Sequence, residues 1–451
     1  MKFRKIIAFV LLCSVTPGCS SKILPATNVY LPQPTSIQNS TIYEVNLRQY
    51  TPEGTFKAFA AQLPKLKELG VDILWFMPIH PIGKKNRKGT LGSYYSVQDY
   101  LAVNPEFGTL EDFKSLVRKA HDMGMYVLMD WVANHTAWDN PLAQQHPDWY
   151  TKDANGHFVS PVKDWTDVID LDYRNPDLRN YMIEAMKFWV KETDIDGYRC
   201  DVAGMVPLHF WQNVRRALDA IKPVFMLAEW ETPTLHNEAF DMTYSWKLYR
   251  AFNAIASGKK KASVIDDILQ KEKKEYPPDA LRMRFTTNHD ENSWNGTVFE
   301  RLGHGAEVFA VLTFTLPGMP LIYSGQEAGL NKRLAFFEKD VIPWRDHPFF
   351  ALYQKLISLK KENPALWHGR NGGTYAPVKT SEKNSVFAFI RSTKKQKILV
   401  VTNLSNATRT FQLKGTDYAG DYTDMFTGEE LTIAADTGFT LQPWDYRLYQ
   451  N

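Results

Sequence analysis

From about residue 41 to residue 371, short runs of apolar residues alternate with segments of helical periodicity. Thr41–Val45 is β-branched and aromatic and reads as a strand. Phe56, Phe59, Ala60, Leu63, Leu66 and Leu69 then recur at helical spacing up to Gly70, and Pro64 predicts a break within them. Val71–Met77 is a continuous apolar strand. Thr109-Leu-Glu-Asp112 has the form of a helix cap; Phe113, Leu116, Val117 and Ala120 line one face behind it, and Gly124 closes the helix. Met125–Met129 follows as a strand. Five more strands read as Gly197–Val202, Val224–Ala228, Met242–Ser245, Arg284–Thr287 and Pro320–Tyr323. Continuous apolar strands separated by helices mean a parallel sheet covered on both faces. Eight such units predict an α/β fold, a (β/α)8 barrel. An open doubly wound sheet is the alternative, but no Gly-x-Gly-x-x-Gly follows any of the strands.

Two stretches break this rhythm. Residues 136–170 have weak periodicity and six Asp, and read as a short insertion after the third strand. From residue 372 to 451 the pattern turns to short alternating strands: Ser385–Ile390, Lys397–Thr402, Thr408–Leu413, Gly438–Leu441 and Tyr446–Tyr449. This predicts a compact antiparallel β-domain after a barrel spanning 41–371.

The first residues have a different character. MKFRK is basic, Ile6–Cys13 is apolar but too short to span a membrane, and Ser-Val-Thr-Pro-Gly-Cys follows. Residues 1–19 therefore read as a signal segment, with Cys19 after Gly18 as a lipidation site. The expected location is the periplasm or the outer membrane, held by a lipid anchor, or the exterior if cleavage is ordinary. Residues 20–40, with three Pro and many polar residues, suit a linker. If Cys13 is removed and Cys19 lipidated, only Cys200 remains and no intrachain disulfide can form. The net charge of +3 equals that of Lys2, Arg4 and Lys5, so a processed chain is neutral and nucleic acid is not an expected partner. A monomer is expected. Trp131, Trp138, Trp149, Trp165 and Trp211 suit packing as well as carbohydrate contact.

In a barrel, chemistry gathers at the C-terminal ends of the strands. Strand three ends in Asp130-Trp-Val-Ala-Asn134-His135, strand four carries Arg199-Cys-Asp201, strand five ends in Glu229, and strand seven in Asn288-His289-Asp290. One such polar residue would mean little, but four sets converge on one mouth. Strand alternation puts Arg199 and Asp201 inside together and turns Tyr198 and Cys200 toward the helices. A neighbouring Arg199 favours an ionised Asp201, which suits a nucleophile. Burial of Glu229 favours its protonated form, which suits a general acid. Two carboxyls with divided roles, and Asp290 as a third, form the pattern of glycoside hydrolysis.

DWVANH, GYRCD, Glu229 and NHD, in this order and on these strands, resemble the alpha-amylase family of glycoside hydrolases. TIYEVNLRQY, GSYYSVQDYLAVNPEFGT and GMPLIYSGQE extend the resemblance over roughly 41–451. It implies a retaining hydrolase of α-1,4-glucosidic bonds in starch, maltodextrins or related α-glucans. Asp201 would be the nucleophile, Glu229 the acid/base and Asp290 the transition-state stabiliser. Arg199 would orient Asp201, His135 and His289 would bond the sugar, and Tyr95 would stack on it. Asp130 and Asp99 would hold loops at the mouth. Many relatives bind calcium through an Asn, here Asn134, and a His four residues after the nucleophile. Here that position is Met205, a poor ligand for a hard cation, so neither calcium nor any other cofactor is expected. Gly204 stands where many amylases have a Lys reaching the leaving-group sugar, and the short insertion predicts a more open cleft. A transglycosylase of the same fold and a non-catalytic glucan-binding lipoprotein are the alternative functions.

Overall fold

In the computed structural model of the chain, which describes residues 37–369 and 372–451, the eight apolar runs pair in chain order and close on themselves. They are β1 (Ile42–Val45), β2 (Ile73–Phe76), β3 (Tyr126–Trp131), β4 (Gly197–Cys200), β5 (Phe225–Ala228), β6 (Met242–Tyr244), β7 (Leu281–Arg284) and β8 (Met319–Tyr323). Every neighbouring pair is parallel, and β8 returns to β1. Ile42, Ile73, Trp75, Leu128, Leu227, Met242, Met283 and Leu321 fill the interior. The alternate residues pack outward against helices, as Tyr198 does by donating to the Met186 carbonyl at 2.6 Å. The cap at Thr109 forms a reciprocal pair with Asp112, and the expected break before Pro64 separates helices Phe56–Ala60 and Leu63–Leu69. Gly70 ends the second of these at a φ of 98°, a left-handed conformation that favours glycine.

The seventh strand lies three residues earlier than the Arg284–Thr287 expected. Its interior positions are Leu281 and Met283, while Arg282 and Arg284 point outward to Glu272 at 3.2 and 2.6 Å. Buried charge on the helix side interrupted the apolar run by which the other strands were recognised. The insertion after β3 holds a small hairpin, His135–Ala137 against Val168–Asp170.

The C-terminal domain has eight strands, three more than its pattern predicted. They are β9 (Thr374–Thr380), β10 (Val386–Ser392), β11 (Lys397–Asn403), β12 (Arg409–Lys414), β13 (Gly420–Asp424), β14 (Glu430–Ile433), β15 (Gly438–Leu441) and β16 (Tyr446–Gln450), arranged β14-β13-β16-β11-β10-β9-β12-β15. The unforeseen ones, β9, β13 and β14, are rich in exposed polar residues and carry little apolar alternation. Phe387, Phe389, Ile398, Val400 and Leu448 join the core of the barrel, while Ala388, Ile390, Leu399 and Val401 face the domain's own core. Period-two alternation thus fixes which sheet face docks on the barrel.

The signal segment, Cys19 and most of the expected linker lie outside the described residues. The last four linker residues do not behave as a tether: Ile37 and Ser40 are buried, and the Gln38 carbonyl accepts from the His368 amide at 2.7 Å. Among the described residues no helix is long and apolar enough to cross a membrane.

Candidate active site

Arg199 projects inward from β4 and organises the barrel mouth. Its Nη1 donates to Asp130 Oδ1 at 2.9 Å and Asp201 Oδ1 at 3.0 Å, and its Nη2 lies 2.9 Å from Glu229 Oε2. Trp75 lies beneath the guanidinium, 5.1 Å from its ring centroid. One buried cation therefore faces three carboxyls, which satisfies the need of a buried charge for partners. The arrangement is short of positive charge, and the acidities reflect it. Burial pushes Asp201 up to about 6, against the opposing pull of Arg199. Burial likewise raises Asp130 to about 6 and Glu229 to about 7. The expected effect of burial on Glu229, which favours its protonated form, appears here. The expected dominance of Arg199 over Asp201 does not, because desolvation is the larger effect.

Val202 follows Asp201 at φ 34° and ψ 46°, a left-handed conformation that a β-branched residue rarely adopts. This turns its amide onto Glu229 Oε2, which accepts at 2.8 Å. The loop of one carboxyl thereby holds the other.

A second chain of polar contacts supports the opposite side. His289 Nδ1 donates to Glu44, and its Nε2 lies 2.8 Å from the Tyr95 hydroxyl, which donates to Asp130 Oδ2 at 3.1 Å. Desolvation opposes charge on this ring, but Asp290 and Glu44 outweigh it and raise His289 to about 9. Both ring nitrogens are then donors, which matches these two acceptors. His135 is different: burial lowers it to about 3, so its ring is neutral. The Asp290 side chain is about 36% exposed, and its Oδ1 accepts from Trp294 Nε1 at 3.3 Å.

These groups surround a cleft of about 600 Å³, lined by Tyr95, His135, Asp201, Glu229 and Asp290 together with Trp165, Trp294, Phe336 and Phe337. Arg199 and His289, expected to meet the sugar, lie beneath the cleft with side chains 0% and 1% exposed, and act on it through their partners. Asp130, expected to hold loops, is likewise buried under Arg199. Asp99 does brace a loop, accepting from the Leu101 amide at 2.8 Å. Cys200 is a free, buried core residue.

The cleft is not open on every side. Lys88, in the loop after β2, pairs with Asp167 of the insertion at 3.2 Å and donates to the Asp164 carbonyl. In the same loop the Thr90 amide donates to Glu338 at 2.9 Å and the Leu91 amide to the Phe337 carbonyl at 3.0 Å. Three loops thus join into one wall, although the insertion is short. Glu44, Trp294 and Phe336 were missed in the sequence. Glu44 could have been found, being a charged residue near the end of an apolar strand.

The calcium site implied by the resemblance does not fit these residues. Met205, where the resemblance places a His ligand, offers an exposed thioether, a poor donor for a hard cation.

Comparison with known proteins agrees with this geometry. The family profile "Alpha amylase, catalytic domain" matches residues 33–344, and "Maltogenic Amylase, C-terminal domain" matches residues 378–448. A noncanonic maltogenic α-amylase of Thermotoga neapolitana is 32% identical with a TM-score of 0.85, over 92% of this chain and 99% of that one. Alpha-amylase 2 of Dictyoglomus thermophilum is 27% identical over 421 residues, 88% of this chain and 71% of that protein. A cyclomaltodextrinase of Thermoanaerobacter pseudethanolicus is 28% identical over 387 residues, 78% of this chain and 64% of that protein. Four strand-end motifs, the closed barrel they crown and these matches lead to one assignment: the chain belongs to the α-amylase family, as a glycoside hydrolase of α-1,4-glucosidic bonds.

Proposed function

We propose that the chain is a retaining hydrolase that acts on the ends of short α-1,4-glucans. The carrying observation is a pair of buried carboxyls, Asp201 and Glu229, held on one guanidinium and lining a walled cleft. A shared guanidinium favours the short separation of a retaining pair, about 5–5.5 Å, over the wider gap that an inverting enzyme leaves for water. Asp201 attacks the anomeric carbon while Glu229 gives its proton to the departing oxygen. Glu229 then takes a proton from the water that releases the sugar. Asp290 accepts hydrogen bonds from the hydroxyls of the distorted ring, and Tyr95 and His135 bound that ring in the cleft. Arg199 positions both carboxyls.

The preference for short chains rests on the loop wall and on the maltogenic and cyclomaltodextrinase names among the relatives. Incubation with maltoheptaose and with soluble starch tests it. The expected result is small products from the start, with maltoheptaose consumed faster than starch. Early mid-length products from starch would mean endo action, and mainly longer products a transferase.

The proposed enzyme works as a monomer and without calcium. Chelation is expected to shift its melting temperature by no more than about 2 °C, roughly the effect of a ΔΔG under 1 kcal/mol in a chain this large. A larger fall reversed by calcium would overturn this. Export as a lipoprotein on Cys19 is proposed from the N-terminal motif. Cys19→Ala should move the protein from the membrane fraction to the soluble one, and an unchanged distribution would argue against the anchor.

A further inference from the structure

Alternation along β10 places Arg391 on the same face as Phe387 and Phe389, toward the barrel. Its side chain is buried where the C-terminal domain meets the N-terminal ends of β7 and β8, at the end of the barrel opposite the catalytic mouth. There Nε donates to the Gly373 carbonyl at 3.2 Å, Nη1 to that of Thr315 at 3.1 Å and Nη2 to that of Trp367 at 3.0 Å. All three partners are neutral. Every Asp and Glu of the chain lies among the described residues, and none of them pairs with Arg391.

The neighbouring guanidinium groups are compensated. Glu272, on the helix Val264–Glu275, accepts from Arg282 and Arg284, and Glu231 pairs with Arg282 at 2.7 Å. Arg391 is the cation left over. Burial lowers it to about 9, and the positive charge of Arg284 adds to the fall. A buried charge without a counter-charge is costly, and carbonyl dipoles offset only part of that cost. Arg282, Arg284 and Arg391 line one cavity of about 260 Å³, together with Glu272 and Tyr276. Both oxygens of Glu272 are already engaged by the arginines. The Tyr276 hydroxyl is buried and has no hydrogen-bond partner, while its ring lies 4.0 Å from the Arg282 guanidinium carbon. A buried hydroxyl without a partner needs an explanation as much as an unmatched cation does. One ligand accounts for both, because an anion accepts from guanidinium N–H groups and from a hydroxyl.

We infer that this cavity is a binding site for a small tetrahedral oxyanion of the phosphate class, held by Arg391, Arg284 and the Tyr276 hydroxyl, and that the bound anion ties the C-terminal domain to the barrel. The planar fork of a guanidinium matches two oxygens of such an anion, which favours it over a spherical halide. Arg284 belongs to β7 and Arg391 to β10. An anion between them replaces a repulsion across the domain boundary by two attractions. The cavity shares no lining residue with the catalytic cleft, so the inference stands apart from the glycosidase reading.

The test uses the full chain, with melting temperature and affinity measured by calorimetry at neutral pH and fixed ionic strength. Inorganic phosphate should raise the melting temperature saturably, by about 3 °C or more at about a hundredfold excess over its Kd, and chloride should not. Glycerol phosphate separates the two sources of such an oxyanion: tighter binding than inorganic phosphate assigns the site to a monoester, weaker binding to the free ion. Tyr276→Phe should weaken phosphate about tenfold, yet leave the melting temperature of the free protein unchanged, because the hydroxyl it removes has no partner there. Arg391→Met should abolish phosphate binding. If that variant fails to fold, Arg391→Lys, which keeps the charge but not the fork, should still weaken binding by about tenfold or more. A response to phosphate no larger than that to chloride, or one unchanged in these variants, would make Arg391 a structural residue satisfied by carbonyls and overturn the inference. Competitive inhibition of maltoheptaose hydrolysis by phosphate would place the ion in the cleft and overturn it as well.

Discussion

Asp201→Asn should lower kcat on maltoheptaose by at least about a thousandfold, some 4 kcal/mol of barrier, without unfolding the protein. Asparagine keeps the size and one hydrogen bond to Arg199 but cannot form the glycosyl ester. The fold should not suffer, because burial already disfavours the charged form of the native carboxyl. Its folded pKa of about 6 is above the ordinary carboxylate range near 4. The native state therefore holds the proton more tightly than the unfolded chain, so stability falls as pH rises from about 4 through about 6. An amide carries no such penalty. At pH 7 the variant is expected to melt no lower than wild type while its turnover is lost. Residual activity within tenfold of wild type would remove Asp201 from the nucleophile's place. Loss of activity together with a large fall in melting temperature would mean that the side chain is structural.

How far the site could be read from the sequence depended on what each residue faces. Asp201, Glu229, Asp290 and His135 stand where apolar strands end, and a polar residue there contrasts with its surroundings. Arg199 was legible from alternation alone, two positions from Asp201. The seventh strand was displaced because Arg282 and Arg284 face outward into buried ion pairs with Glu272, and a charged residue on the helix side resembles the end of a strand. Trp294, Phe336 and the Lys88 bridge were not legible, because they reach the cleft from separate loops and only the closed barrel brings them together. The relative strength of burial and ion pairing at Asp201 was also out of reach. Sequence spacing shows that an arginine is near, but not that the same arginine also faces Asp130 and Glu229.

The acid role of Glu229 leads to a prediction in two dimensions, leaving group and pH. Burial lifts this carboxyl to about 7, above Asp201 at about 6. Catalysis needs Asp201 ionised and Glu229 protonated at the same time. Activity should therefore fall below about pH 6 as the nucleophile gains its proton, and above about pH 7 as the acid loses its own. The kcat/KM profile for maltotetraose should be a narrow bell between these values. In Glu229→Gln no side chain can donate to the glycosidic oxygen, and a loss of about 10²–10⁴-fold is expected. Formation of the glycosyl ester from α-maltosyl fluoride should be nearly preserved, because fluoride departs without protonation. Its pH profile should lose the alkaline limb and keep the acidic one, since Asp201 still titrates. Added azide should speed turnover of the fluoride by capturing the ester without need of a general base. If Glu229→Gln lost both substrates equally, or kept the alkaline limb, the proton that governs cleavage would belong to another group. The nearest candidate would be Asp130, which is raised to about 6 on the same guanidinium. Asp130, however, is sealed beneath Arg199 with no exposed surface, while Glu229 lines the cleft. Only Glu229 combines a proton retained near neutral pH with a path to the substrate, and it is this combination that the paired substrates test.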